Sequence, residues 1–230
     1  MRALLVGLLL LAGIALVADR VAVRVAEGTV ADELAAQEQV TGEPEVDIRG
    51  FPFLTQAAGG RYHDVRISLT AAQPGQAGEV PVDTVLRGIR VPLSDALSGD
   101  VSELPVDRID GRATLAYDLL AQELGGDATL SPEGDGLRIS RTVELLGYTL
   151  PVSAAGTVTL EGDELVVDVE RAAGAGVEIP SFLVGRVSDL LDLRYTLPEL
   201  PFGLRLTGVA PGADGVQVRV EADDAVLRAE

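Results

Sequence analysis

The side chains able to do chemistry are few. His63 is the single histidine of a 230-residue chain and stands beside Asp64, and nine serines are spread through the rest. A Ser-His-Asp relay is therefore arithmetically available. No Gly-x-Ser-x-Gly elbow exists to strain and expose a nucleophile. His63 shares a strand parity with Val65, Ile67 and Leu69, which favours a strand-end residue with a satisfied hydrogen bond over a catalytic base. One histidine and no cysteine also exclude the usual zinc sets and any thiolate nucleophile or disulfide. Acidic turns such as Glu161-Gly162-Asp163-Glu164 lack the alternating oxygen ligands of a calcium loop and read as solvated hairpin tips. Gly134-Asp135-Gly136 lacks the further glycines and the following helix of a dinucleotide site. No catalytic residue, metal site or cofactor is expected.

Two features remain. All four Phe lie in Pro-broken segments: Phe51 and Phe53 flank Pro52, Phe182 follows Pro180 at two residues, and Phe202 follows Pro201. Proline withholds ladder hydrogen bonds there, so these rings either plug the ends of a sheet or line an apolar entrance. Arg141 is the other. In Leu137 to Leu145 the odd positions are apolar except Arg141, which period-two geometry turns inward. A bulge that turns it out, an internal carboxylate partner and a phosphate contact are the three readings open to it.

Composition narrows the partners. A formal charge of −18 and no lysine leave no basic patch, so neither nucleic acid nor an anionic bilayer can be held by charge. Apolar residues make up 47% of the chain and aromatics 3%, so aliphatic side chains must fill the core and any lipid contact must be apolar.

The elements that position these residues begin with an apolar run from Ala3 to Ala18, preceded by Arg2 and closed by Asp19-Arg20. Its sixteen residues fall just short of the usual spanning length of about 20 and exceed a typical signal core. Residues 1–18 are thus a signal peptide, with small residues at Gly13-Ile14-Ala15 and at Ala18, or an N-terminal membrane anchor. Either one exports residues 19–230, expected as a single domain outside the cytoplasmic membrane. An amphipathic helix comes next, with Val23, Ala26, Val30 and Leu34 on one face, running to about Gln39 and stopped by Thr41-Gly42-Glu43-Pro44. From Glu45 onward, apolar and polar residues alternate in short runs separated by Gly- and Asp-rich turns, the pattern of antiparallel hairpins. A short helix interrupts them at Tyr117 to Leu124. A second, after Pro180, carries Leu183, Val187, Leu190 and Leu191 on one face. The class is α+β: a strongly curved antiparallel sheet wrapping a long N-terminal amphipathic helix and a shorter second one.

At Gly50-Phe51-Pro52-Phe53-Leu54-Thr55-Gln56, followed by Gly59-Gly60 and the strand Tyr62 to Leu69, the chain resembles the LmeA-like phospholipid-binding family of actinobacterial cell-envelope proteins. The apolar N-terminus running into Asp19-Arg20, the Gly111-Arg112-Ala113-Thr114 strand before a short helix, and Leu200-Pro201-Phe202-Gly203-Leu204 extend the similarity over nearly the whole chain. The resemblance implies a tubular, curved sheet cradling helices, phospholipid binding in a periplasm-like space, and a link to cell-wall glycolipid assembly. It offers no catalytic motif, and only Phe51 to Gln56 carries over as a groove element. Candidate lipid contacts are then Phe51, Pro52, Phe53 and Leu54, Val30 and Leu34 on the first helix, Phe182 and Leu183 on the second, and Arg141 beside a head group. The expected function is non-catalytic phospholipid binding that supports envelope assembly, with an envelope-biosynthesis enzyme as a further partner. The alternative is an envelope scaffold that binds a protein and carries no lipid.

Overall fold

The computed structural model describes residues 2–72, 78–98, 101–123, 128–145, 148–162, 164–174, 177–178, 194–196 and 200–228. The helix expected after Pro180, with Phe182 and Leu183, lies outside the described residues.

Helix α1 (Arg2–Ala35) joins the apolar run and the amphipathic segment into one 34-residue rod. Gly28 costs it about 1 kcal/mol relative to Ala without breaking it. The helix stops at Ala35, four residues before the expected end, and β1 (Val40–Arg49) already contains Thr41-Gly42-Glu43-Pro44. Pairing with β2 (Arg61–Ala72) shifts register between Thr41 and Glu45, and Gly42 has φ +77. The turn-like residues are absorbed as an irregularity in an edge strand, where Gly and Pro are tolerated.

The remaining elements are α2 (Phe53–Gly59), β3 (Glu79–Arg90), α3 (Leu93–Ser98), β4 (Glu103–Ala116), α4 (Tyr117–Glu123), β5 (Ala128–Glu133), β6 (Gly136–Leu145), β7 (Tyr148–Glu161), β8 (Glu164–Gly174), β9 (Val177–Glu178), β10 (Arg194–Thr196), β11 (Arg205–Pro211) and β12 (Gly215–Arg228). The α+β class and the antiparallel pairing stand as expected, with the strands distributed over two sheets. One has the order β1-β2-β3-β4-β12-β11, the other β10-β8-β7-β6-β5 with β9 on β8. The division has a simple cause. Strand β4 is paired by β3 on one edge and β12 on the other, so β5, arriving through α4, finds no free edge and starts a new sheet.

The two sheets share an apolar cluster. Leu115, Val216 and Val218 from the first meet Leu137, Ile139 and Leu165 from the second, and Leu119 and Leu120 of α4 fill the space between them. Leu120, Leu137, Ile139 and Leu165 are fully buried, each stabilising the fold by about 1.5–3 kcal/mol. A second cluster lines the other half of the first sheet, built on Val65, Leu86, Ile89, Val106, Ile109 and Ala222.

Within the second cluster the alternation slips by one residue. Buried positions in β3 step from Leu86 to Ile89, in β4 from Ile109 to Val106 and in β12 from Ala222 to Ala225. Gly88 (φ +67) and Asp224 (φ +51) supply the left-handed backbone at the slip. Because three neighbouring strands slip at one level, Arg87 still pairs with Arg108 and Arg108 with Asp223. The apolar face is thereby kept inward along strands of 12 and 14 residues that must bend. In the second sheet, the β7–β8 register shifts between Ala155 and Gly156, with Glu170 as the extra residue on β8. A Cβ at Gly156 would lie 1.9 Å from the carbonyl oxygen of Asp168, a spacing open only to glycine.

Candidate lipid-binding site

Helix α1 carries the site's first element. Every residue from Arg2 to Ala18 is exposed, and the helix is long and apolar enough to cross a membrane. Contact with the folded domain starts abruptly at Asp19, which is 2% exposed. From there the helix lies along edge strand β1 and against α2. Val23 packs on Phe53 and Ala57, flanked by Ala22, Ala26, Ile48 and Tyr62. Glu27 accepts a hydrogen bond from the Ile48 N–H at 2.9 Å, satisfying a donor that the edge of the sheet leaves without a strand partner. Past Glu27 the contact narrows: Leu34 is half-buried and Val30 exposed. A straight rod against one twisted strand touches along a narrow line, so the face shared by Val23 and Val30 is not buried along its whole length.

The Phe51–Gln56 segment forms an elbow after β1. The Phe51–Pro52 peptide is cis, and α2 starts directly behind it. Its two rings part ways. Phe53 is 6% exposed, with its ring 6.1 Å from that of Tyr62, whereas Phe51 is 61% exposed with the Arg20 guanidinium 4.9 Å above it. Phe53 is therefore a plug between α1, α2 and β2. Leu54 also points outward at 43% exposure, while its backbone N–H donates to Asp19 Oδ1 at 2.8 Å. Pro52, exposed like Phe51, accepts from the Thr55 hydroxyl at 2.8 Å.

Gln56, 6% exposed, locks the elbow from behind. Its Nε2 donates to the Arg49 carbonyl at 3.2 Å, and its Oε1 accepts the His63 N–H at 3.1 Å and lies 2.9 Å from His63 Nδ1. His63 is thus a strand-end residue engaged by an amide. Burial raises the Tyr62 hydroxyl above its ordinary pKa, in keeping with a ring that serves as packing. Among the described residues, no group of three or more His, Asp or Glu side chains could hold a metal ion.

Arg141 lies elsewhere, in the second sheet, with Ala128 and Val152 as its cross-strand partners. Ile139, two residues back, is fully buried, and Arg141 is half-buried where the sheet opens. It lines a shallow cleft of about 350 Å³ with Thr129, Ser140, Thr142, Val152 and Ser153. Ala128 and Val152 share its face of the sheet, while Thr129, Ser140 and Ser153 form the adjacent cross-strand row, whose side chains project from the other face. A guanidinium at such a cleft can donate to phosphate oxygens. A second polar cleft adjoins it, where Arg138 pairs with Glu133 at 2.7 Å and holds that carboxyl below the usual range. Sequence alone gave no contact role to Asp19 or Glu27 and took Gln56 only as the end of a groove segment. The one available signal was Asp19-Arg20 ending an apolar run, which reads equally well as a simple stop.

These features define a two-sheet α+β domain carried on an apolar helix that can enter a membrane. The chain belongs to the LmeA-like phospholipid-binding family, whose model matches residues 17–221. No curated protein and no solved structure matches it. The matched span takes in the Asp19–Leu54 contact, the elbow and the Arg141 cleft, and leaves most of the apolar run before it.

Proposed function

We propose that the protein binds a phospholipid without catalysis, outside the cytoplasmic membrane, and there supports assembly of envelope lipids or lipoglycans. Membership of a phospholipid-binding family over residues 17–221 carries this reading. Arg2 ahead of the apolar run favours an anchor with its start in the cytoplasm and the domain outside. A chain of net charge −18 cannot attract an anionic lipid globally, so acyl burial, at about 0.8 kcal/mol per CH₂, supplies the affinity. The Arg141 cleft, where a half-buried guanidinium lines the opening, receives the head-group phosphate. Val30 and Leu34 on α1 are the proposed contacts for the acyl chains, and Phe182 and Leu183, which lie outside the described residues, are proposed with them from the sequence alone. An envelope-biosynthesis enzyme would take the lipid onward.

Native mass spectrometry of the full chain, released gently from membranes, tests the reading. One phospholipid per chain is expected. In Arg141→Gln the preference for anionic over zwitterionic lipid falls while folding is kept. A well-folded chain that carries no lipid would favour a scaffold.

A further inference from the structure

We propose that the Phe51–Leu54 elbow is a bilayer-contacting tip, with Phe51 and Leu54 inserted into the interfacial layer beside the point where α1 leaves the membrane. The proposal rests on the membrane-tether reading of α1 and adds to it a fixed orientation of the domain. Three observations meet here. Phe51 and Leu54 are exposed at 61% and 43%, although a neighbouring ring, Phe53, is buried at the same elbow. The exposed apolar surface of α1 runs without a break through Leu16 and Val17 to Val21, so the two apolar surfaces join. The junction is clamped, by the Leu54 N–H on Asp19 and by Arg20 over the Phe51 ring.

Geometry fixes the depth. Arg20 follows the last residue of the apolar run by two positions, a rise of about 3 Å along the helix axis. The polar interfacial layer is about 5–7 Å thick on each side of the hydrocarbon. A ring stacked on Arg20 therefore stands within that layer and cannot clear it. Because α1 continues as helix into the domain, no linker lets the elbow turn away. The guanidinium of Arg20 can reach lipid phosphates while its stem and Phe51 stay in apolar surroundings. The partner is the lipid surface itself, held by apolar insertion at the end of an acidic domain.

The chain has no Trp, so Phe51→Trp and Leu54→Trp each introduce a single indole. Ala213→Trp, in the exposed turn between β11 and β12, is the control at the opposite end of the first sheet from the elbow. Each full-length variant is reconstituted into phosphatidylcholine vesicles with or without brominated acyl chains. Flotation with the vesicles reports the tether, and quenching reports the contact. The expected result is flotation of all three, with a blue-shifted emission largely lost to bromine at positions 51 and 54 and a water-like, unquenched emission at 213. Failure to float would overturn tether and contact together. Flotation with unquenched indoles at both 51 and 54 would overturn the contact alone. A blue shift that bromine leaves untouched would also overturn it, by assigning the tip to a protein partner or a second copy.

Discussion

The backbone N–H of Leu54 donates to the carboxylate of Asp19 at 2.8 Å, joining the first turn of α2 to α1 across 35 positions of sequence. Asp19 is the first residue after the apolar run and the first of α1 to be buried. One hydrogen bond thus sits where the exposed rod becomes part of the domain. Replacing the carboxylate with a methyl leaves a partly buried N–H without its acceptor.

Asp19→Ala should cost the domain about 1.5–3 kcal/mol, the range for hydrogen bonds to charged groups. Asp19→Asn, which keeps an acceptor oxygen, should lose less. Urea unfolding of the two variants checks the order.

Gln56 serves three groups at once, the Arg49 carbonyl and both the backbone N–H and Nδ1 of His63. Gln56→Leu should therefore destabilise by about 1–3 kcal/mol through groups left unsatisfied. His63→Ala, at an exposed position, should cost less and leave the lipid load intact, because binding needs no proton relay. Thermal melting paired with lipid extraction separates the two.

Gly156 faces a backbone oxygen, which cannot swing aside as a side chain can. With its Cβ at 1.9 Å from the Asp168 carbonyl, Gly156→Ala must push β7 and β8 apart at the bulge. A cost of about 1–3 kcal/mol is expected, or several degrees of melting temperature for a chain of this size.

Acid should weaken the fold through Asp107. Its hydrogen bond to Arg90, helped by the charges of Arg90 and Arg61, holds its carboxyl below the ordinary Asp value. A depressed folded pKa means that the contribution is complete above the unfolded value of about 3.9 and is lost as pH falls from there through the folded one. Asp107→Asn should therefore lower the melting temperature at neutral pH and flatten its fall below about pH 4. The effect should be modest, since the pair is on the surface. Melting curves across that window decide it.

Much of the fold was legible because it is written in local periodicity. Val65, Ile67 and Leu69, or Val216, Val218 and Val220, alternate with polar residues and became strands; Gly134-Asp135-Gly136 and Gly212-Ala213-Asp214 fell at hairpin turns. Less legible were the places where a long-range contact sets the outcome. Thr41 to Pro44 carry the residues of a stop, yet β2 recruits them into an edge strand. Phe51 and Phe53 look equivalent in sequence, two positions apart around one proline. Their fates differ because α1 comes back over Phe53 and leaves Phe51 outside.

By itself the sequence determined the class of the protein: an apolar N-terminal run, an α+β arrangement of antiparallel hairpins, an acidic composition, and membership of a phospholipid-binding family through the elbow motif. These come from composition, period and a short motif, each of which involves neighbours in the chain. The tertiary structure alone decided that the strands divide between two sheets, that Arg141 lines a cleft in the second of them, and that Asp19 clamps the elbow. Each of those depends on which edges are already occupied and which distant residue arrives beside a given side chain. Free strand edges and buried donors are satisfied by partners tens of residues away, and no local pattern names them.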